Sequence, residues 1–133
     1  MNLAQAFVDS AAKHADRIAL RTASGATTTY AELDNLTARA AGLLAEAGVG
    51  VGDRVGLMLP NVPEFAVVYY GVLRAGAIVV PMNPLLKGRE VAHYLDDSGA
   101  NLIFTGAMSA DEVHAGAPEG CTVIVVDETF APR

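Results

Sequence analysis

The sequence contains no tryptophan and only one cysteine, Cys121. A single cysteine excludes a disulfide within the chain, and cysteine-poor proteins are typical of reducing compartments, so we expect a cytoplasmic protein. Basic residues are also scarce, because nine lysines and arginines face 15 acidic residues and the net charge is −6. This charge argues against nucleic acid or an anionic membrane as a partner that is bound through bulk charge.

Long hydrophobic runs are absent as well. The uncharged stretch between Arg74 and Lys87 holds two prolines and is shorter than the roughly 20 apolar residues of a membrane-spanning helix. The N-terminus has no basic segment followed by an apolar run, so we expect neither a membrane span nor a signal peptide. Hydrophobic residues still make up 52% of the 133 residues, which favours one folded domain over a disordered chain.

A strand–helix–strand pattern occupies residues 53–83. The apolar run 55–59 is continuous rather than alternating, which is typical of a parallel strand that is buried on both faces. We expect Asn61 to cap the following helix, with Glu64 returning a hydrogen bond to the cap and Pro63 in the first turn.

The helix of this pattern has apolar residues all round between residues 65 and 73. Such a helix is buried on most sides. Gly76 follows it as a stop signal, and residues 78–80 begin the next strand. The segment therefore predicts a βαβ unit with two parallel strands.

Three elements are predicted before this unit. Residues 3–14 form an amphipathic helix, and residues 18–20 and 27–29 flank a turn in a β-hairpin. Thr29 and Glu32 have the spacing of a capping box that opens a long helix. The predicted buried face of that helix, which Gly48 closes, consists of Leu33, Leu36, Ala40, Leu43 and Ala47.

The C-terminal part continues the alternation of helices and strands. We expect a helix at 88–98 with Val91, Tyr94 and Leu95 buried, then a strand at 102–104, a weak helix at 111–115 and a strand at 123–126. The order predicts a layered α/β fold with a mainly parallel sheet and flanking helices, preceded by the N-terminal helix and hairpin. Residues 127–133 lead away from the last strand without a partner element, so we expect an incomplete portion of a larger domain.

Two glycine- or hydroxyl-rich stretches superficially suggest nucleotide loops. Gly48, Gly50 and Gly52 follow a helix and precede a strand, whereas a dinucleotide loop follows a strand and opens a helix. The segment 22–29 lacks the lysine and the spacing of a phosphate-binding loop. Both stretches are predicted to be turns.

The remaining reactive side chains show no catalytic pattern. The three histidines, His14, His93 and His114, lie far apart and have no partner at metal-site spacing. We expect His93 beside Tyr94 on a helix flank. Cys121 has no adjacent base that would activate a thiolate. Asp96 and Asp97 are interpreted as exposed charge at a helix end.

The best candidates for a ligand site are therefore the residues that directly follow the strands. Ligands of open parallel sheets bind beyond the carboxyl ends of the strands. The asparagine-containing strand ends are interpreted as caps and turns, and Asn83 and Pro84 are candidates for lining a ligand cavity on position alone. The candidate strand ends are Pro60-Asn61, residues 81–84, Thr105-Gly106 and Asp127-Glu128.

Six short motifs follow one another along the chain. They are TYAEL at 29–33, GDRV at 52–55, LPN at 59–61, LRAGA at 73–77, VPMNP at 80–84 and LDDSGA at 95–100. Each motif alone is loose, but their order and spacing are specific. The ordered set resembles a known family, the adenylate-forming acyl-CoA synthetases, and most closely its bacterial fatty-acid or aryl-acid CoA ligases. The resemblance covers residues 3–126.

The resemblance implies that residues 1–133 are the N-terminal part of a large adenylate-forming domain. The family's reaction joins a carboxylic acid, here expected to be a fatty acid, to CoA through an acyl-adenylate, with ATP and Mg²⁺. Its phosphate loop with a Pro-Lys-Gly sequence, its adenine pocket and its mobile C-terminal lysine do not occur in this segment. No catalytic, cofactor-binding or metal-binding residue is therefore carried over, and the chain alone is expected to be inactive and to bind no cofactor.

Two alternatives remain open at this stage. The parent could be an adenylation enzyme that loads a carrier protein instead of CoA. The chain could also be a short, non-catalytic interaction or dimerisation module, a homo-oligomer that covers the open edge of its sheet.

Overall fold

The structure is a computed structural model that describes residues 2–126 of the chain. Its N-terminal part consists of a helix, a two-stranded hairpin and a longer helix. Their bounds are α1 Leu3–Lys13, β1 Ile18–Arg21, β2 Thr27–Thr29 and α2 Tyr30–Glu46. Strands β1 and β2 pair antiparallel, which confirms the predicted hairpin, and α1 ends one residue before its predicted end.

The rest of the described chain alternates strands with helices. The bounds are β3 Arg54–Met58, α3 Pro63–Arg74, β4 Ile78–Pro81, α4 Gly88–Ser98, β5 Leu102–Gly106, α5 Ala110–Gly116 and β6 Thr122–Val126. The four strands are parallel and lie in the order β4-β3-β5-β6. The predicted α/β fold is confirmed, whereas the expected tail at 127–133 lies outside the described residues.

Strand β3 lies inside this sheet, between β4 and β5. Its residues Val55, Leu57 and Met58 are completely buried, as the continuous apolar run predicts. Successive residues of a strand point to opposite faces, so a strand with this pattern needs cover on both faces of the sheet.

Helices supply that cover on both faces. One core joins Leu57 and Phe104 of the sheet to Val68 and Val72 of α3 and Leu44 of α2. A second core joins Met58 and Ile103 to residues of α4 and α5, namely Val91, Leu95 and Val113. A third cluster packs α1 against α2 and α3. It consists of Phe7, Ala11, Leu33, Ala40 and Val67.

The capping box of α2 has the predicted geometry. The Thr29 hydroxyl accepts a hydrogen bond from the Glu32 N–H at 3.1 Å, and the Glu32 carboxylate accepts one from the Thr29 N–H at 2.9 Å. Two amide groups at the helix start, which lack partners within the helix, are satisfied in this way.

The buried face of α2 is rotated from the prediction. The fully buried residues are Leu33, Thr37, Ala40 and Leu44, while Leu36 and Leu43 are half-buried and Ala47 is exposed. Thr37 tolerates this position because its hydroxyl donates to the Asp34 carbonyl at 2.9 Å, so no polar group is left unsatisfied. The hydrophobic pattern alone does not reveal such an internally bonded threonine.

The predicted Asn61 cap of α3 is wrong. The chain makes a tight turn in which the Val62 N–H donates to the Pro60 carbonyl at 2.8 Å, and Val62 becomes the cap residue, with no side-chain hydrogen bond. Asn61 stays exposed one residue before the cap. Pro63 is the first helical residue, as expected.

The predicted burial of Tyr94 on α4 is also wrong. Val91 and Leu95 are buried as expected, but Tyr94 is 44% exposed. Val91 and Leu95 are four residues apart and form one line along the helix, and Tyr94 lies beside that line. Its ring meets the His93 ring edge-on at 6.1 Å, and His93 is exposed on the helix flank, as expected.

Candidate functional site

An open groove of about 710 Å³ lies where β3, β5 and β6 end. We call it the strand-end groove. Segments that follow different strands meet there, as parallel sheets place all carboxyl ends at one edge. Its lining residues are Leu59, Pro60, Val62, Glu64, Pro84, Leu85, Gly106, Ala107, Met108, Ser109 and Val126.

The lining is mainly apolar. Leu85 is 83% exposed, and Met108, at 102%, is fully exposed. Glu64 is the charged side chain among the described lining residues. The described surface therefore suits the apolar body of a ligand and offers no cation to a phosphate group.

A pair of buried hydroxyls lies at the end of β5. The Thr105 and Ser109 oxygens are 2.9 Å apart, and Thr105 donates to the Gly106 carbonyl at 3.1 Å. Both residues are buried, and Ser109 also lines the groove. The hydroxyls are engaged with each other and with the backbone, so they fix the turn that shapes this side of the groove.

Of the candidate pair at the end of β4, Pro84 lines the strand-end groove and Asn83 does not. The Asn83 side-chain oxygen accepts a hydrogen bond from the Leu85 N–H at 2.9 Å, and its carbonyl accepts one from the Leu86 N–H at 3.0 Å. Asn83 therefore builds the turn that presents Pro84 and Leu85.

At the other predicted strand ends, some residues line the strand-end groove and others do not. Pro60 and Gly106 line the groove, whereas Asn61 lies outside its lining. Asp127 and Glu128 lie outside the described residues. Sequence reasoning missed Leu85, Met108 and Ser109, although exposed apolar residues just after a strand could have marked them.

A second cavity of about 590 Å³ separates the β1–β2 turn from the start of α3. We call it the hairpin cavity. Among the described residues, its lining combines apolar side chains with one cation and one amide. The lining residues are Leu20, Arg21, Thr22, Ala23, Ser24, Asn61, Val62, Pro63, Phe65 and Ala66.

Both stretches that superficially suggest nucleotide loops are turns, as predicted. The Gly50 N–H donates to the Asp53 carboxylate at 2.7 Å, which closes the turn before β3. In the hairpin, the Thr22 hydroxyl lies 2.8 Å from the Ser24 hydroxyl and accepts from the Ala26 N–H at 3.1 Å. These side chains serve the turns themselves.

The histidines stay apart in the fold. His14 follows α1, His93 lies on α4 and His114 lies on α5, all three exposed. Within residues 2–126, no group of three histidine, cysteine or acidic side chains has the arrangement of a metal site. Cys121 is half-buried, and burial raises the pKa of its thiol. The thiol therefore stays protonated and weakly nucleophilic.

Membrane crossing requires a helix that is both long and apolar. Within residues 2–126, none of the helices combines the two properties.

Comparison with known proteins identifies the family. Residues 7–133 match the family model described as "AMP-binding enzyme". The chain belongs to this family. This confirms the resemblance that the ordered sequence motifs indicate.

Relatives within the AMP-binding family include named ligases. The long-chain-fatty-acid–CoA ligase FadD13 of Mycobacterium tuberculosis is 41% identical over 87 residues, which is 65% of this chain and 17% of that protein. A benzoate CoA ligase from Burkholderia xenovorans LB400 aligns with a TM-score of 0.90 and 27% identity over 99% of this chain and 27% of that chain. The N-terminal domain of FACL13 from Mycobacterium tuberculosis aligns with a TM-score of 0.87 and 30% identity over the whole chain and 37% of that structure.

The chain thus spans less than a fifth of the FadD13 ligase and little more than a third of the FACL13 domain. It corresponds to the N-terminal portion of an AMP-binding enzyme. Neither the strand-end groove nor the hairpin cavity has a lysine among its described lining residues.

Proposed function

We propose that residues 1–133 form the N-terminal part of the large adenylate-forming domain of an acid–CoA ligase. In the whole protein, a carboxylate attacks the α-phosphorus of ATP, pyrophosphate leaves, and an acyl-adenylate forms. The CoA thiol then displaces AMP and gives the acyl-CoA. The observation that carries this proposal is the family match over residues 7–133.

We propose that the described residues serve as scaffold and do not themselves hold ATP or Mg²⁺. Residues 2–126 bring together no group of acidic and histidine side chains suited to a metal ion, and the strand-end groove contains only Glu64 as a charged side chain among its described residues. This chain therefore contributes scaffold and apolar surface, and the nucleotide is bound by other parts of the parent enzyme.

We propose a fatty acid as the substrate of that enzyme. The support comes from the identity with a long-chain-fatty-acid–CoA ligase and from the apolar strand-end groove with its exposed Leu85 and Met108. An apolar wall binds an alkyl chain through burial of its surface.

The test is ATP–pyrophosphate exchange with two proteins. The first is the 133-residue chain alone, for which we expect exchange no higher than without protein. The second is a chimera in which the 87 residues that align with the FadD13 ligase replace the aligned segment of that ligase, assayed with palmitate, octanoate and benzoate. We expect exchange that is strongest with palmitate.

The control is the same ligase with the segment deleted, which should be inactive. A chimera that is folded, as judged by circular dichroism and gel filtration, but inactive with every acid would contradict the proposal. Exchange by the isolated chain would contradict the scaffold role. Release of AMP that depends on CoA, and not on an acyl carrier protein, separates a CoA ligase from a carrier-loading enzyme.

A further inference from the structure

The hairpin cavity is not explained by the proposed function. It is an open surface depression, and its volume of about 590 Å³ lies within the range of roughly 300–1,000 Å³ that is common for small-molecule sites. It lies between the β1–β2 turn and α3 and, among the described residues, shares only Val62 with the strand-end groove. A ligand bound here would therefore occupy a site of its own.

Both walls of the hairpin cavity are fixed by internal contacts. On the hairpin side, the Thr22 N–H donates to the Ala26 carbonyl at 2.9 Å, and the Thr22 hydroxyl accepts from the Ala26 N–H at 3.1 Å. On the α3 side, the Phe65 ring stacks on the Tyr69 ring, with centroids 6.0 Å apart and an angle of 15°. Walls that are already ordered reduce the entropy that binding must overcome.

Two polar side chains of the lining, Arg21 and Asn61, are exposed and have no hydrogen-bond or ion-pair partner among residues 2–126. Within residues 2–126, Arg74 and Asp34 form an ion pair. No hydrogen bond or ion pair in that range engages the side chain of Arg21. Asn61 has the sequence signal of a helix cap, but Val62 takes that position without a side-chain hydrogen bond. The guanidinium and the amide therefore remain available beside an apolar floor that includes Leu20 and Phe65.

We propose that the hairpin cavity binds a small organic carboxylate with an apolar body. Arg21 donates two N–H groups to the two carboxylate oxygens, a geometry that a guanidinium favours. Asn61 donates its amide N–H to one of them, and the apolar body packs on Leu20, Pro63 and Phe65. This binding site does not depend on the adenylation chemistry proposed for the parent enzyme.

The experiment is a titration of the ¹⁵N-labelled 133-residue chain with octanoate, followed by heteronuclear NMR. We expect amide shifts at Thr22, Ala23, Phe65 and Ala66 and a saturable curve. Octanol, which has the same chain without the charge, should bind at least about tenfold more weakly, as should inorganic phosphate, which lacks the apolar body.

The decisive variant is Arg21→Gln, which should raise the octanoate Kd by about tenfold or more because it removes the charge-assisted hydrogen bonds. Arg17→Gln is the matched control, because Arg17 is an exposed arginine outside the cavity lining, and its Kd should equal that of the parent chain. Asn61→Ala should raise the Kd by about threefold, the loss of one amide hydrogen bond.

Three results would overturn the proposal. They are no saturable shifts at millimolar octanoate, an equal Kd for the Arg21→Gln and Arg17→Gln variants, or shifts confined to the strand-end groove around Leu85 and Met108. The first and second results leave the proposed ligase role untouched, because that role is tested by the chimera.

Discussion

The Arg74 guanidinium at the end of α3 lies 2.6 Å from the Asp34 carboxylate in the first half of α2. The same nitrogen also lies 3.3 Å from the Asp34 carbonyl and 3.3 Å from the Thr37 hydroxyl. One arginine therefore joins two neighbouring helices through three acceptors. The two side chains are 24% and 40% exposed, so solvent screens the pair in part.

We expect Arg74→Gln to lower the free energy of unfolding by about 1 kcal/mol, near the upper end for partly exposed ion pairs, because it also weakens two further hydrogen bonds. The melting temperature should fall by about 3–5 °C. In 1 M salt the difference should shrink, because the charge component is screened. An unchanged melting temperature at low salt would show that the network contributes nothing. Arg39→Gln, at an exposed arginine on the same α2 helix, is the control and should be neutral.

Gly71 of α3 and Ala40 of α2 form a close contact between two helices. A Cβ atom on Gly71 would lie 2.5 Å from the Ala40 Cβ and 3.3 Å from the Thr37 carbonyl. Neither neighbour can rotate away, so we expect Gly71→Ala to destabilise the chain by about 1–3 kcal/mol, as in an overpacked core. Denaturant unfolding measures the loss.

Gly42→Ala is the matched control for this substitution. Gly42 also lies within a helix, but a Cβ atom added there would meet no atom within 4 Å in the part of the chain that the structure describes. The change should stabilise α2 by up to about 1 kcal/mol, because alanine favours a helix more than glycine does. If both variants lost the same stability, crowding at the Gly71–Ala40 contact could not be the cause.

Gly76 ends α3 with a φ of +79°, and a Cβ atom there would lie 3.0 Å from the Val51 side chain. We expect Gly76→Val to be badly tolerated, with a loss of about 2 kcal/mol or more, since a β-branched residue strains the left-handed conformation and also meets Val51. Gly99→Val at φ +73°, with no described atom within 4 Å, carries only the backbone strain. A thermal melt should place Gly99→Val between Gly76→Val and the parent chain, and the reverse order would refute the role of Val51.

The capping box predicts a pH dependence of stability. Hydrogen bonds from Thr29 lower the pKa of Glu32 below its ordinary value of 4.5. The folded state therefore releases the proton more readily than the unfolded state, so this contribution is present above the unfolded pKa and is lost as the pH falls through the folded pKa.

Glu32→Gln tests this dependence, because glutamine can still accept the Thr29 N–H but does not titrate. We expect the gap in melting temperature between the parent chain and the variant to be largest near pH 7 and to close as the pH falls below the ordinary glutamate pKa of 4.5. A gap that is constant across this range would show that the Glu32 charge does not contribute.

How much of this fold the sequence could predict depends on the range of the interactions involved. The Thr29–Glu32 box, the helix end at Gly76 and the order of helices and strands depend on residues a few positions apart. Their physical causes, which are unpaired amides at a helix start and left-handed backbone at its end, are the same in any fold. All of these predictions were correct.

The errors occurred where packing against another helix or an adjoining turn decides the outcome. The buried face of α2 passes through Thr37 and Leu44 rather than Ala47, because α3 meets α2 at the Gly71–Ala40 contact and Thr37 satisfies its hydroxyl within its own helix. Asn61 lost its predicted cap role because the preceding turn at Pro60 delays the helix start.

The sequence by itself determined the element types and most of their ends, the apolar strands of a parallel sheet, and the family to which the chain belongs. Only the tertiary structure decided the order β4-β3-β5-β6, the convergence of Pro84, Met108 and Val126 at one groove, and the hairpin cavity with Arg21 and Asn61. Local signals reach three or four residues along the chain. Grooves arise between segments that are tens of residues apart, and their formation depends on packing that no single segment encodes.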